Sequence, residues 1–157
     1  MVDRKDVGSW LAGPGSRTPE AGEYAGQRLG LPREGSGSIG RVGRRLVGVL
    51  VDWTVCTFIA FGLFHVPLPF TATAGPGAWI TLIVFGVENL LLVGTLGYTI
   101  GHRVVGLRVR SINGRPPSPI QTVVRTVLLC LFLPAMFWDR DGRGLHDKAA
   151  GTVIVRL

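Results

Sequence analysis

Two acidic residues, Asp52 and Glu88, each lie within a long apolar run of the chain. The runs extend over residues 46–64 and 78–96, and each is close to the roughly 20 residues that a helix needs to cross a lipid bilayer. A carboxylate near the bilayer centre costs roughly 2.5 to 3.5 kcal/mol on insertion scales, so it is expected to face a helix bundle, to stay protonated or to meet a cation. The two acids are therefore the first candidates for a site that handles protons or cations.

Helix geometry predicts the surroundings of Asp52. Arg45 and Asp52 are seven residues apart, which places them on one face of a helix but separates them by about 10.5 Å along its axis. They should not touch, and Arg125, at the start of a third apolar segment, is the predicted partner of Asp52. Asp52 is then either a cation or proton site, or a buried side chain that ties the first span to Arg125 or to backbone donors.

Glu88 lies near the middle of the second run, where a protonated carboxyl is the simplest state. One interpretation is a role in transport or proton relay. The other is a neutral hydrogen bond between helices that involves the neighbouring Asn89.

The composition is typical of a small integral membrane protein. Of the 157 residues, 46% are hydrophobic and 17% are charged, and the mean hydropathy is +0.36, which is unusual for a soluble domain. The net charge of +7 lies entirely in residues 41–157, because residues 1–40 hold five basic and five acidic side chains. Basic residues that flank apolar spans are an orientation signal of membrane proteins, so we expect a lipid bilayer and not a nucleic acid as the partner.

The distribution of Arg residues predicts the topology. Arg residues stand at positions 41, 44 and 45 before the first run, the loop 65–77 has no Lys or Arg, and four more Arg residues follow the second run. The positive-inside rule then places the amino terminus in the cytoplasm and that loop outside. The third apolar segment, residues 120–138, is interrupted by Pro134, so we expect a shorter or re-entrant helix that returns the carboxyl end to the cytoplasmic side.

Two β-branched runs outside the spans, residues 104–110 and 152–156, predict short strands. Short isolated strands are unstable, so the two are expected to pair with each other. The pair would form a small cytoplasmic cap on one side of the membrane.

Residues 1–40 are rich in Gly, Pro, Ser and Glu and have no hydrophobic period. They predict a disordered cytoplasmic tail, followed by a membrane domain over residues 41–157. Trp10 and Tyr24 interrupt the polar composition of the tail. They are either a pair of docking motifs for a partner protein or incidental apolar residues.

The remaining residues predict neither an enzyme nor a metalloprotein. Cys56 and Cys130 lie within apolar segments, and the three His residues are scattered over both predicted sides of the membrane, so neither a disulfide nor a metal site is expected. The sequence contains no GxGxxG, P-loop, HExxH or nucleophile-elbow pattern. We therefore predict no catalytic residues and no cofactor.

Three stretches together resemble the RDD family of bacterial integral membrane proteins, which is named for one Arg and two Asp residues. They are RRLVGVLVDW, GYTIGHRVVGLRVRSINGRPPS and DGRGLHDKAAGTVIV. Arg45 matches the Arg of the family, and Asp52 and Asp147 match its two Asp residues. The resemblance covers residues 41–157 and implies a multi-pass protein of the bacterial inner membrane that transports ions or small solutes. Gly48 stands where the family often has Ala, and the last apolar stretch is too short for the additional full spans of longer members.

The sequence thus predicts an all-α membrane protein with two full transmembrane helices, a third shorter or re-entrant helix and a small cytoplasmic cap with two short strands. Its predicted function is transport through an intramembrane polar network, in which the chain would act as a homo-oligomer or within a larger membrane complex. The alternative is a non-catalytic accessory or scaffold subunit that docks a partner through its amino-terminal tail. The predicted network comprises Arg45, Asp52, Glu88, Arg125 and Asp147.

Overall fold

The computed structural model describes residues 24–68, 77–131 and 143–157. Within these ranges the elements follow one another in the order α1 (Val42–Phe64), α2 (Gly77–Thr95), α3 (Ile100–Val104), β1 (Leu107–Ser111), α4 (Pro119–Cys130), α5 (Leu145–Ala150) and β2 (Thr152–Arg156). A 3₁₀ helix, Gln27–Leu29, precedes α1. The predicted fold class is confirmed: the described part of the chain is mostly helical, with two long apolar helices, a shorter one and a two-stranded sheet.

Helices α1 and α2 are long and apolar enough to cross a membrane. The buried residues of α1 recur every three or four positions, which places them on a single face. They are Arg45, Gly48, Asp52, Cys56 and Ala60. The other faces expose large apolar side chains, with Leu50 at 65% and Leu63 at 71% exposure. Such a surface is unfavourable in water and suits contact with lipid.

The buried residues of helix α2 are spaced four apart, namely Thr81, Phe85, Asn89 and Val93, and α2 packs against both α1 and α4. The rings of Trp53 and Phe85 meet edge to face, with centroids 5.6 Å apart. Phe85 also joins Cys56 and Leu129 in a buried apolar cluster, so that α4 is held against the two long helices.

Helix α4 confirms the shorter third helix. Ser118 and Gln121 form a capping box at its amino end, and Pro119 occupies the first turn. Its 12 residues correspond to about 18 Å, less than the hydrocarbon thickness of about 30 Å. The last part of the segment predicted over 120–138, residues 132–138, lies outside the described residues.

The two predicted strands pair with each other, and the register is antiparallel from Leu107↔Arg156 to Ser111↔Thr152. The predicted start of the first strand at residue 104 is wrong, because residues 100–104 form the short helix α3, whose amino end Thr99 caps through its side chain. Gly106, at φ +67°, makes the turn from α3 into β1.

The disorder predicted for residues 1–40 is wrong for the part of that segment that the structure describes, residues 24–40. Ile39 forms an antiparallel bridge with Val155, and the Gly40 N–H donates to the Ile154 carbonyl at 2.8 Å. Backbone pairing along the free edge of β2 supplies the order that composition alone did not predict. Residues 1–23, including Trp10, lie outside the described ranges.

The sheet and the long helices meet at one end of the molecule. The Val109 N–H donates to the Gly97 carbonyl at 2.7 Å, which ties β1 to the turn after α2. Val93, Leu107, Val109 and Ile154 form the apolar core there. The start of α1, the end of α2 and the end of β2 therefore all lie at this cap end.

Candidate functional site

The first group of buried polar residues surrounds Asp147, which α5 places at the cap end with 0% exposure. The Arg125 Nε–H donates to Asp147 Oδ1 at 2.8 Å, and the Thr152 hydroxyl donates to the same oxygen at 3.1 Å. Arg45 Nη1 lies 3.8 Å from Asp147 Oδ2, and His146 Nε2 lies 3.4 Å from it. The structure therefore brings Arg45, Arg125 and Asp147 together.

Both guanidinium groups also hold neighbouring elements. Arg125, 1% exposed, donates to the Asn89 side-chain oxygen on α2 at 3.5 Å. Arg45 donates to the Gly40 carbonyl at 2.9 Å and to the Ile154 carbonyl at 3.3 Å. This first group thus joins both long helices, α4, α5 and the sheet.

The basic neighbours keep Asp147 ionised. Burial by itself raises the pKa of a carboxyl, but the positive charge of Arg125, with smaller contributions from the other basic groups, holds the pKa of Asp147 well below its usual value. A carboxylate that is charged over the whole physiological pH range is suited to holding elements in place and not to exchanging protons.

The second group surrounds Asp52, which is 1% exposed. The Thr99 hydroxyl donates to Asp52 Oδ2 at 2.6 Å, and the Gly101 N–H donates to Oδ1 at 2.5 Å. The predicted pairing of Asp52 with Arg125 is wrong, because Arg125 is engaged by Asp147 and Asn89. The donors come instead from the turn between α2 and α3, which the close approach of Gly48 and Gly101 brings against α1.

His102, only 3% exposed, continues this second group. Its Nδ1 lies 2.5 Å from the Thr99 oxygen. The single Thr99 proton is used in the bond to Asp52, so Nδ1 must carry the proton of the neutral ring and donate it to Thr99, leaving Nε2 as an acceptor. Burial, reinforced by the positive charge of Arg125, lowers the pKa of His102 from 6.5 to about 3.

Sequence reasoning missed Thr99 and His102 as site residues. The available signal was the Thr-x-x-His spacing directly after the second span, because a Thr at that position is a typical helix N-cap and turns the chain back towards the bundle. The charges of Arg45, Arg125 and Asp147 also act on the pKa of His102, so the first group influences the electrostatics of the second.

Glu88 belongs to the second group. The Cys56 thiol donates to Glu88 Oε2 at 3.0 Å across the contact between α1 and α2, and the carboxyl groups of Glu88 and Asp52 interact with each other. Glu88 therefore takes part in a hydrogen bond between helices, as one interpretation of the sequence expected, but its partner is Cys56 and not Asn89. The Asn89 amide donates to the Phe85 carbonyl at 3.1 Å, and its oxygen accepts from Arg125.

The five residues singled out from the sequence therefore divide between two places. Arg45 and Arg125 meet at Asp147. Asp52 and Glu88 lie in the second group, with Asp52 Oδ2 2.6 Å from the Thr99 hydroxyl and Glu88 Oε2 3.0 Å from the Cys56 thiol. In the described ranges, no group of three or more His, Cys, Asp and Glu side chains is placed to hold a metal ion.

Two apolar helices of spanning length, with polar side chains buried between them, define a small α-helical membrane protein. The chain matches the model of the RDD family over residues 39–151 and belongs to that family. The match extends from the bridge at Ile39 to the end of α5, and so includes every residue of both polar groups except Thr152. No curated protein and no solved structure matches the chain.

Proposed function

We propose that this protein lies in the inner membrane as a multi-pass protein and moves protons or small cations through Asp52 and Glu88, without enzymatic chemistry. Its amino terminus lies in the cytoplasm in this proposal. The support is the charge distribution, since Arg residues cluster at the cap end and the loop 65–77 has no Lys or Arg.

One observation carries the proposal: a series of buried polar side chains leads from the cap into the span. His102 donates to Thr99, Thr99 donates to Asp52, and Asp52 interacts with Glu88. Acids within a membrane span are expensive to maintain, and such acids mark ion and proton pathways. Two carboxyl groups that interact electrostatically in a span are also able to share one proton, and we propose that a proton passes between Asp52 and Glu88.

The Asp147 group has a different role in this proposal. Its carboxylate is hydrogen-bonded to Arg125 of α4 and Thr152 of β2 and lies 3.8 Å from the guanidinium of Arg45 on α1. It thus holds the cap against the bundle in this proposal, while the Asp52 group handles the transported ion. The family's Arg and two Asp residues are thereby divided between structure, at Arg45 and Asp147, and ion handling, at Asp52.

Flux measurements in vesicles test the proposal. Purified protein is reconstituted with a pH-sensitive dye inside the vesicles, and proton and Na⁺ gradients are applied in turn. Asp52→Asn and Glu88→Gln each replace a carboxyl by an amide of nearly equal size and should abolish the flux. Glu34→Gln, which changes an exposed acid before α1, is the matched control and should leave the flux unchanged. Wild-type flux in both span variants would contradict the proposal.

A transport path also needs more than one chain in this proposal. In the described ranges, the two long helices and the shorter α4 enclose little space, and α1 and α2 expose apolar faces beyond their mutual contact. We therefore propose a homo-oligomer or a larger membrane complex. The mass of the protein in lipid nanodiscs, measured after subtraction of lipid and scaffold protein, should be at least twice the chain mass of 16.9 kDa, and a mass of one chain would contradict the homo-oligomer.

A scaffold role for the amino-terminal segment is the second proposal. Residues 37–40 are bonded to β2, so the preceding chain starts from a fixed point on the cap. The Tyr24 hydroxyl donates to the Leu31 carbonyl at 3.1 Å, which leaves Trp10 as the better anchor for a partner protein. Deletion of residues 1–23 and a Trp10→Ala variant should each remove the same captured proteins, while flux is retained. An unchanged set of captured proteins would count against a scaffold.

A further inference from the structure

A groove separate from both polar groups opens at the cap end of α1. It has a volume of about 540 Å³ and lies between the first turns of α1 and the turn that connects α3 to β1. The residues that line it are Gly43, Arg44, Val47, Val104, Val105 and Gly106. The two glycines leave its floor open, and a side chain at Gly43 would meet nothing within 4 Å.

One end of the groove carries a positive charge that is held in place. Arg44 Nη1 donates to the Val105 carbonyl at 3.1 Å, which fixes the guanidinium at the rim. Its other N–H donors have no partner among the residues that the structure describes. Arg41 and Arg103, both exposed, are close to this rim in sequence, and none of the lining residues is acidic. The rim is therefore suited to an anion.

The other end of the groove is apolar and continues onto the outer surface of α1. Val47 is 49% exposed and Val104 is 68% exposed. Leu50, one turn further along α1, is 65% exposed. A ligand that fills the groove thus meets a cation at one end and an apolar surface leading along a membrane-spanning helix at the other.

We infer that this groove binds an anionic phospholipid, with its phosphate on Arg44 and an acyl chain over Val47, Val104 and Leu50. The guanidinium matches a phosphate in charge and hydrogen-bonding geometry. The groove lies where a spanning helix begins, at the depth at which lipid headgroups meet basic side chains. A free phosphate would leave the apolar part of the groove uncovered, so a lipid fits both ends. This inference does not depend on the proposed transport.

Lipid binding to the full-length chain tests the inference. Protein in a neutral detergent is titrated with phosphatidylglycerol or phosphatidylcholine, and bound lipid is counted by native mass spectrometry. Phosphatidylglycerol should bind preferentially, and Arg44→Gln should weaken it by about five-fold, the factor that corresponds to roughly 1 kcal/mol per basic residue at the membrane surface. Arg115→Gln, an exposed Arg that does not line the groove, is the matched control and should bind as the wild type does.

A second variant tests the apolar end. Val104→Asn changes a side chain that is 68% exposed, so it should fold normally while retaining less phosphatidylglycerol. The inference is overturned if Arg44→Gln and Val104→Asn both bind phosphatidylglycerol as the wild type does. It is also overturned if Arg115→Gln loses as much binding as Arg44→Gln, or if inorganic phosphate at millimolar concentration displaces the lipid.

Discussion

At the scale of single residues, the two Asp residues of the family pattern differ in what neutralises them. Asp147 faces guanidinium groups, with Arg125 at 2.8 Å, whereas Asp52 accepts from the neutral donors of Thr99 and Gly101. A carboxyl that is bonded only to neutral donors is able to gain or lose a proton without leaving an unpaired guanidinium behind. This difference supports the proposed division of roles, in which Asp52 handles the transported ion and Asp147 holds the cap against the bundle.

Arg125→Met should strongly destabilise the fold. The substitution keeps the apolar length of the side chain but leaves the buried Asp147 carboxylate with Arg45 at 3.8 Å as its nearest guanidinium. Removal of one partner from a buried ion pair lowers the free energy of unfolding by about 3 to 5 kcal/mol. Because Arg45 remains near Asp147, we expect a decrease near the lower limit. Thermal unfolding in detergent measures the change.

The double variant Arg125→Met with Asp147→Asn provides the control for that prediction. It removes the unpaired negative charge, so it should recover part of the stability that Arg125→Met loses. Equal stabilities of the single and the double variant would show that the ion pair is not what stabilises this region.

Stability should fall on acidification through His102 as well as through Asp147. The folded state keeps His102 neutral down to about pH 3, whereas the unfolded chain takes up a proton near pH 6.5. The contribution of His102 to the free energy of unfolding is therefore fully present above pH 6.5. It decreases as the pH falls towards 3, since the unfolded state then binds a proton that the folded state does not. The lowered pKa of Asp147 adds a loss in the same direction, beginning below its ordinary value of 3.8.

His102→Asn separates the two contributions. The Asn side-chain N–H is placed to replace Nδ1–H as the donor to Thr99, and Asn does not titrate. The melting temperature of this variant should decrease less between pH 6.5 and 4.5 than that of the wild type. His65→Asn, at an exposed position, should keep the wild-type slope, and a wild-type slope in His102→Asn would contradict the assignment.

At the scale of elements, the contact between α1 and α3 brings the Asp52 group together. Gly48 and Gly101 lie where the two helices touch, and a Cβ on Gly101 would lie 2.8 Å from the Gly48 carbonyl carbon and 2.9 Å from Asp52 Cγ. A side chain at position 101 must therefore push α3 away from α1.

Gly101→Ala should accordingly disrupt the site. The displaced helix would separate the Gly101 N–H from Asp52, and overpacking of this kind costs about 1 to 3 kcal/mol. Both the melting temperature and the proton flux should decrease. Gly62→Ala, on helix α1 at a position with open space around it, is the matched control and should change neither. Wild-type stability of Gly101→Ala would show that α3 does not need this close approach.

The elements that could be predicted from the sequence are those with a strong local signal. The apolar lengths of α1 and α2, the weaker apolar segment of α4 and the β-branched residues of the two strands all belong to this kind. Helix α3 has only five residues, too few for a period, so the N-cap signal at Thr99 was the one sign of its start. That the turn before α3 offers its donors to Asp52 depends on tertiary packing and could not be predicted. The membership of Arg125 in a polar site was predicted, but its choice of Asp147 over Asp52 depends on the packing of α5 against α4.

At the scale of the whole molecule, the sheet joins parts of the chain that are far apart in sequence. Residues 37–40 pair with β2, and β2 pairs with β1, which follows α2. The sheet is a single hydrogen-bonded unit, so the segment before α1 and the carboxyl-terminal strand must lie on the same side of any membrane that α1 and α2 cross.

Cysteine labelling in intact cells tests this arrangement. Single cysteines are introduced at Glu34 and Leu157, which are exposed on the cap side, and at Pro67, which is exposed after α1. A maleimide that does not cross membranes should label position 67 in intact cells, because the loop after α1 faces outward in the proposed topology. Positions 34 and 157 should be labelled only after the cells are opened. The parent chain, whose two cysteines lie within helices, gives the background.

Two other labelling patterns have different meanings. Labelling of 34 and 157 on opposite sides would contradict the pairing of residues 37–40 with β2, whereas labelling of both from outside would leave that pairing intact and reverse the orientation. The two outcomes thus separate an error in the fold from an error in the charge rule.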